Sequence, residues 1–214
     1  MKVEIGTDRP DHFKESWPGE YSYFSHYEHG AIVPQVLSLI TTLKENGKPN
    51  AAFHAGAVFA GDPTGYYAMM PGLSFSHTYT NILRDKEFCI NFLSSEYYDA
   101  CKKTVEENCD ETDEISAGGF TPEPCKTIGG FRIKEAILSF ECKLTSVQDI
   151  TGQNRLFLVI GQVQLGIVDE RCHTLEHICG AKGFMYNIPA AQNPLKTERM
   201  PTAAAFLTPF MVKE

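Results

Sequence analysis

The chain has 214 residues, of which 43% are hydrophobic and 21% charged, with a formal net charge of −8. That composition excludes a disordered chain, and the acidic balance argues against nucleic acid or an anionic membrane as the main partner. Seven cysteines with no C-x-x-C pair read as reduced thiols rather than a disulfide framework.

One domain over residues 1–214 is expected from this length. The first residues carry charges where a signal peptide needs an apolar core, and no run approaches a membrane span, so the expected location is the cytoplasm. Residues 1–30 read as an N-terminal extension, with a short helix expected at Asp11–Glu15. They also carry an aromatic cluster of Tyr21, Tyr23, Phe24 and Tyr27, suited to packing against a second subunit.

The stretch from Pro34 to Ala60 reads as a hairpin. Val36 to Leu43 is aliphatic and β-branched with interleaved hydroxyls, and Lys44 to Asn50, holding Asn46-Gly47 and Pro49, is its turn. The return strand is built of small residues: Ala51, Ala52, Ala55, Gly56 and Ala57. A strand that gives up bulk either packs closely on another backbone or lets a flat ligand lie against its own.

Asp62-Pro63-Thr64-Gly65 turns the chain into a strand at Tyr66–Met70, which Pro71-Gly72 should end. Ser76 to Glu87 reads as a helix with Tyr79, Ile82 and Leu83 as its apolar stripe, followed by a strand at Glu87–Leu93. Ser95 is the expected N-cap of a second helix through Asn108. Residues 109–130 form a long loop with room for one helical turn. Two long strands, Ala136–Ile150 and Arg155–Val168, flank a hairpin at Thr151-Gly152-Gln153-Asn154. Residues 171–214 read as an irregular tail broken by glycine and proline. The sum is mainly β: a closed or nearly closed antiparallel barrel of Greek-key type with a few short helices. A doubly wound nucleotide fold is disfavoured, since no G-x-G-x-x-G follows a strand.

Chemistry concentrates at Leu73–Asn81. Ser74, Ser76, Thr78 and Thr80 offer hydroxyls, Asn81 an amide and His77 a possible cation where a helix begins. Free N–H groups at a helix start favour an anion such as phosphate, while ordinary capping by Ser76 explains the same residues. A second motif, His173-Thr174-Leu175-Glu176-His177 between Cys172 and Cys179, has the inverted zinc-protease pattern. The glycines at 180 and 183 leave its helix short, and a surface turn explains it better; no metal site is assigned.

The succession VLSLITTLKENGKPNAAF, SHTYTNILRDKEFCINF, DEISAGGFTPEP, IKEAILSFECKLTSV and LVIGQVQLGIVDE resembles the flavin reductase-like family, or flavoredoxin type, from Pro34 to Glu170. The resemblance implies an FMN-binding split β-barrel and a homodimer with flavin near the subunit interface. It also implies hydride or electron transfer from NAD(P)H or a protein donor to flavin or another small-molecule or protein acceptor. By family position, Thr41 and Thr42 lie beneath the flavin ring. Asn50, Ala52, Phe53, His54, Ala55 and Gly56 line the ring and ribityl chain. Ser74, Ser76, His77, Thr78 and Asn81 hold the phosphate, and Phe184 or Tyr186 supplies an aromatic near the flavin. The chain departs from the family pattern at His54 and Ala55, where a serine hydroxyl is usual, and it lacks the Arg or Lys usual among the phosphate hydroxyls. Two other readings share the fold: an electron carrier with no NAD(P)H turnover of its own, and a ligand-binding barrel without flavin. No catalytic side chain is assigned, because donors near the ring can be backbone N–H groups.

Overall fold

The computed structural model describes residues 2–106, 109–172, 182–193, 195–196 and 198–207. Strand β1 (Gln35–Leu43) is the hub. It pairs antiparallel with β2 (Pro49–Ala55) along its length, with β5 (Glu87–Phe92) at Leu39–Thr41, and with β10 (Met185–Ile188) at Gln35 and Val36. From β5 the sheet runs to β8 (Leu138–Asp149), β9 (Leu156–Val168), β4 (Gly65–Leu73) and β3 (Val58–Asp62). A last strand, β11 (Ala203–Phe206), adds to β10. Two short strands, β6 (Pro122–Pro124) and β7 (Phe131–Ile133), form a separate two-stranded sheet.

Among the described residues the sheet is a split barrel, because β2 pairs with β1 alone and β4 beyond Met69 has no partner on its β3 side. Helix α2 (His77–Asp85) lies against this gap. Among the described residues the other α-helices are the single turns α1 (Tyr27–Gly30) and α4 (Glu114–Ala117) and the short α3 (Tyr98–Lys103).

Two apolar clusters sit on opposite faces of β1. Ile40, Met70, Ile82, Phe88, Ile90 and Val159 fill the barrel. Leu37, Leu39, Ala51, Leu93, Ile115 and Ile133 pack outside it, under α3, α4 and β7. Gly161 of β9 allows this density: a Cβ there would lie 2.5 Å from the Phe88 ring. The β8–β9 turn is set by Asp149, whose carboxylate accepts from the N–H groups of Thr151, Gly152 and Asn154.

Five sequence expectations need correction. No helix forms at residues 11–15; the extension instead holds α1 and a 3₁₀ turn at Glu20–Ser22. Pro71-Gly72 does not end β4, which continues to Leu73 with Pro71 opposite Leu158. A missing N–H is tolerated there because that side of the strand faces the open edge. Leu83 is 36% exposed and leaves the stripe to Tyr79 and Ile82. Ser95 does not cap a long helix: its hydroxyl donates to the Lys182 carbonyl, and α3 stops at Lys103. The tail is not wholly irregular, since β10 and β11 extend the sheet; β-pairing supplied by a distant strand overrides local breakers.

The excursion at 109–130 is pinned, not loose. Lys44, read as the first residue of the hairpin turn, is buried; its Nζ donates to the carbonyls of Cys109 and Thr112 and lies 2.9 Å from Glu114 Oε1. Glu114 Oε2 accepts from the N–H of Ala51, on the open edge of β2, at 2.7 Å.

Candidate functional site

The open edge of β2 is the place to begin. Ala51 directs its N–H outward to Glu114, while Gly56 directs its own inward to the Val36 carbonyl. By the alternation of an antiparallel ladder, Phe53 and Ala55 also turn N–H and C=O to the open edge. Both line a cavity of about 480 Å³ with His54 between them. Its far walls are Pro71 and Leu73 of β4 and Leu156 of β9. The rest comes from the two ends of the chain: Tyr23, Phe24 and Glu28 on one side, Pro189, Ala190 and Arg199 on the other. Such a volume suits a small organic ligand or cofactor.

Gly56 is fixed by its backbone, with φ +92°, and not by crowding, since an added Cβ would meet only ordinary contacts at 3.4–3.6 Å. His54 is half-buried, and burial pushes its imidazole below the ordinary value, against the smaller opposing effect of the Pro71 and Ala55 backbone. It is therefore neutral near pH 7 and able to donate from one nitrogen and accept at the other. Its Nδ1 is buried without a hydrogen-bond partner.

His54 also borders a second, smaller cavity of about 70 Å³ between β2, β4 and α2, lined by Ala52, Ser76 and Thr78 among others. Here the residues expected to hold phosphate part company. Ser76 caps α2, accepting from the Tyr79 N–H at 3.2 Å. Thr78 is buried and its hydroxyl accepts from Asn50 Nδ2 at 3.1 Å. Asn81 is buried too; its Nδ2 donates to Thr42 Oγ1 at 3.0 Å, and its Oδ1 accepts from Arg84. These two pairs fasten α2 to β1 and β2. Ser74 bonds through its N–H to the Arg155 carbonyl, and His77 stands 3.9 Å from Asp110, with Nδ1 unpartnered.

Thr41 faces away from Thr42, and its hydroxyl donates to the Phe131 carbonyl at 2.6 Å. Phe184 packs on Phe92 in the barrel core, with ring centroids 5.4 Å apart, and Tyr186 lies opposite Val36 on β10; neither lines either cavity. Of the expected site residues, the structure thus gathers Phe53, His54 and Ala55 at the large cavity and Ala52, His54, Ser76 and Thr78 at the small one. Residues 173–179 of the zinc-like motif lie outside the described residues.

Glu20, Glu28, His29 and Arg199 were not anticipated. They come from the segments read as extension and tail, and no local spacing marks them. Tyr23 and Phe24 were anticipated only as a packing surface.

The flavin reductase-like domain model matches residues 30–182, well over half of the chain. The chain belongs to the flavin reductase-like family. An uncharacterised protein of Aquifex aeolicus (strain VF5) is 31% identical over 150 residues, 66% of this chain and 75% of that one. Nitrilotriacetate monooxygenase component B from Bacillus cereus shares the fold with a TM-score of 0.74 at 16% identity, covering 99% of this chain and 100% of that one. Flavoredoxin of Desulfovibrio vulgaris (Miyazaki F) does so with a TM-score of 0.67 at 17% identity, covering 94% and 97%. Those likenesses speak for the split-barrel fold; the domain match speaks for the family. As a flavin reductase-like protein, this is a flavin-related oxidoreductase.

The residues at the large cavity fit a flavin ring. Two backbone N–H groups on an unpaired edge, a neutral imidazole with an unpartnered nitrogen, and apolar walls of Pro71, Leu73 and Leu156 suit a planar, hydrogen-bonding heterocycle.

Proposed function

We propose that this flavin reductase-like protein binds FMN without a covalent bond, accepts hydride from NAD(P)H or electrons from a protein donor, and passes them to free flavin or another acceptor. The proposal includes a homodimer with the cofactor near the subunit interface. The observation that carries it is the unpaired edge of β2 at Phe53 and Ala55, open to the cavity. Bound flavin would supply the two-electron chemistry.

The chain's own part is to bind and polarise. The Phe53 and Ala55 N–H groups are fixed donors that stabilise negative charge on a neighbouring ring without reorganising. His54, held neutral, adds a donor without adding a full charge. Tyr23 and Phe24 wall the cavity on one side. For the phosphate, His77 at the start of α2 is the available group, because Ser76, Thr78 and Asn81 are already engaged.

Two measurements test the reading. Purified protein should absorb blue light and bleach when mixed anaerobically with NADPH; colour without bleaching would favour an electron carrier, and no colour a barrel without flavin. Ala55→Pro removes one edge N–H that the ladder does not use, and proline is tolerated on such an edge. It should weaken FMN binding at least about tenfold with the fold intact. An Ala55→Pro protein with full colour and wild-type affinity would move the cofactor elsewhere. Gly56→Leu is not a clean probe, since its positive φ strains any side chain.

A further inference from the structure

Four residues that line the large cavity, Glu28, His29, His54 and Arg199, each carry one buried polar atom without a hydrogen-bond partner: Oε2, Nε2, Nδ1 and Nη1 respectively. They are half of all such side-chain atoms among the described residues, so the cavity concentrates unmade bonds. Native interiors satisfy their polar groups, and a cluster of exceptions at one cavity points to a missing ligand.

The cluster is held in place. Glu20 is 4% exposed, and its carboxylate accepts from the Ser16 N–H at 2.6 Å and the Ser16 hydroxyl at 3.1 Å. It lies 3.5 Å from both Arg199 Nη2 and His29 Nε2. His29 Nδ1 is 3.2 Å from the Ala190 carbonyl, which ties the two ends of the chain together. Glu20 thus already balances Arg199, and Glu28 brings a second carboxyl group to the same cavity. An anion would face two carboxyl groups for one guanidinium. A neutral group with an acceptor beside a donor can satisfy Arg199 Nη1 and Glu28 Oε2 at once.

We propose that Glu28 and Arg199, which lie outside the family-matched residues 30–182, recognise the amide or imide edge of a flat, uncharged ring system seated in the cavity against Tyr23, Phe24 and Phe53. Arg199 donates to the carbonyl oxygen and Glu28 accepts from the N–H. Under the proposed function two sources carry that edge: the pyrimidine end of the flavin and the carboxamide of a nicotinamide. Only this choice of sources rests on the flavin reading.

The test is calorimetry on the full chain with riboflavin, nicotinamide, benzamide and benzoate. Benzamide should bind and benzoate should not. Glu28→Met and Arg199→Met should each weaken the recognised ligand at least about tenfold. Glu28→Met should leave the melting temperature nearly unchanged, because the bond from the Ser25 backbone that it removes is offset by replacing an unpartnered buried carboxyl oxygen with an apolar chain. This variant stands as the probe if Arg199→Met, which strands Glu20, fails to fold. Weakening of riboflavin assigns the edge to flavin; weakening of nicotinamide with flavin retention unchanged assigns it to a second ligand. Preference for benzoate, no binding of any amide or imide probe, or unchanged affinities in both variants would overturn the proposal. Amide discrimination in a protein that never takes up flavin would uphold it while removing the proposed function.

Discussion

His54 shows how a single position couples fold and site. Burial favours its neutral imidazole, so the folded chain resists the proton that the unfolded chain accepts near pH 6.5. The stability this contributes is present above that pH and is lost as pH falls below it. Urea midpoints measured from pH 8 to pH 5 should therefore decline, and His54→Gln should flatten the acid side of the curve. Glu141 is the opposite case. It is fully buried, and burial alone would raise its carboxyl. The bonds from Lys126 and Thr127 N–H, the Thr127 hydroxyl and Arg132 outweigh that and hold it below the usual range. Glu141→Gln breaks a buried ion pair and should cost about 3–5 kcal/mol in chemical denaturation. Asn91, also fully buried, donates to the Leu39 carbonyl and Thr41 Oγ1, and accepts from the Ile133 N–H and Ser139 hydroxyl. In the sequence it is one polar residue in an apolar strand, with nothing to mark it as a junction of four segments.

Among the elements, α2 carries the greatest burden. Its length follows from local rules: Ser76 caps it, and Lys86, at φ +61°, ends it in the left-handed region. Its position does not. Asn50–Thr78 and Thr42–Asn81 fix it across the gap between β2 and β4, so the hydroxyl-rich stretch is spent partly on docking. Thr78→Val should lower stability by about 1–3 kcal/mol by leaving the Asn50 amide unmatched in the interior. A Thr78→Val protein as stable as wild type would show that the pair contributes nothing. The 109–130 excursion behaves alike. Lys44→Met leaves the buried Glu114 without its cation, and a loss of about 3–5 kcal/mol is expected, read as a fall in denaturation midpoint.

Seen as a whole, the molecule places a cavity of about 480 Å³ where three remote parts meet: the open barrel edge, the N-terminal segment and the C-terminal segment. Exposed apolar side chains remain, including Val58 and Tyr66 near one end of the sheet and Phe206 and Leu207 at the other. In the proposed homodimer such surfaces are partly covered. Light scattering during size exclusion should give twice the monomer mass of 23.9 kDa, and a monomer at all concentrations would remove that part of the proposal.

The sequence by itself determined the strands and their order of appearance. Alternation at Val36–Leu43, Glu87–Leu93 and across the 151–154 turn is local information, and so is the cap at Ser76. It determined the family as well, through motifs contained within single elements. Only the tertiary structure decided that Lys44 is buried, that Pro71 stays in its strand, and that Glu28 and Arg199 line one cavity. Each of those depends on a partner far along the chain, and side-chain periodicity reports which face a residue occupies, never what that face will meet.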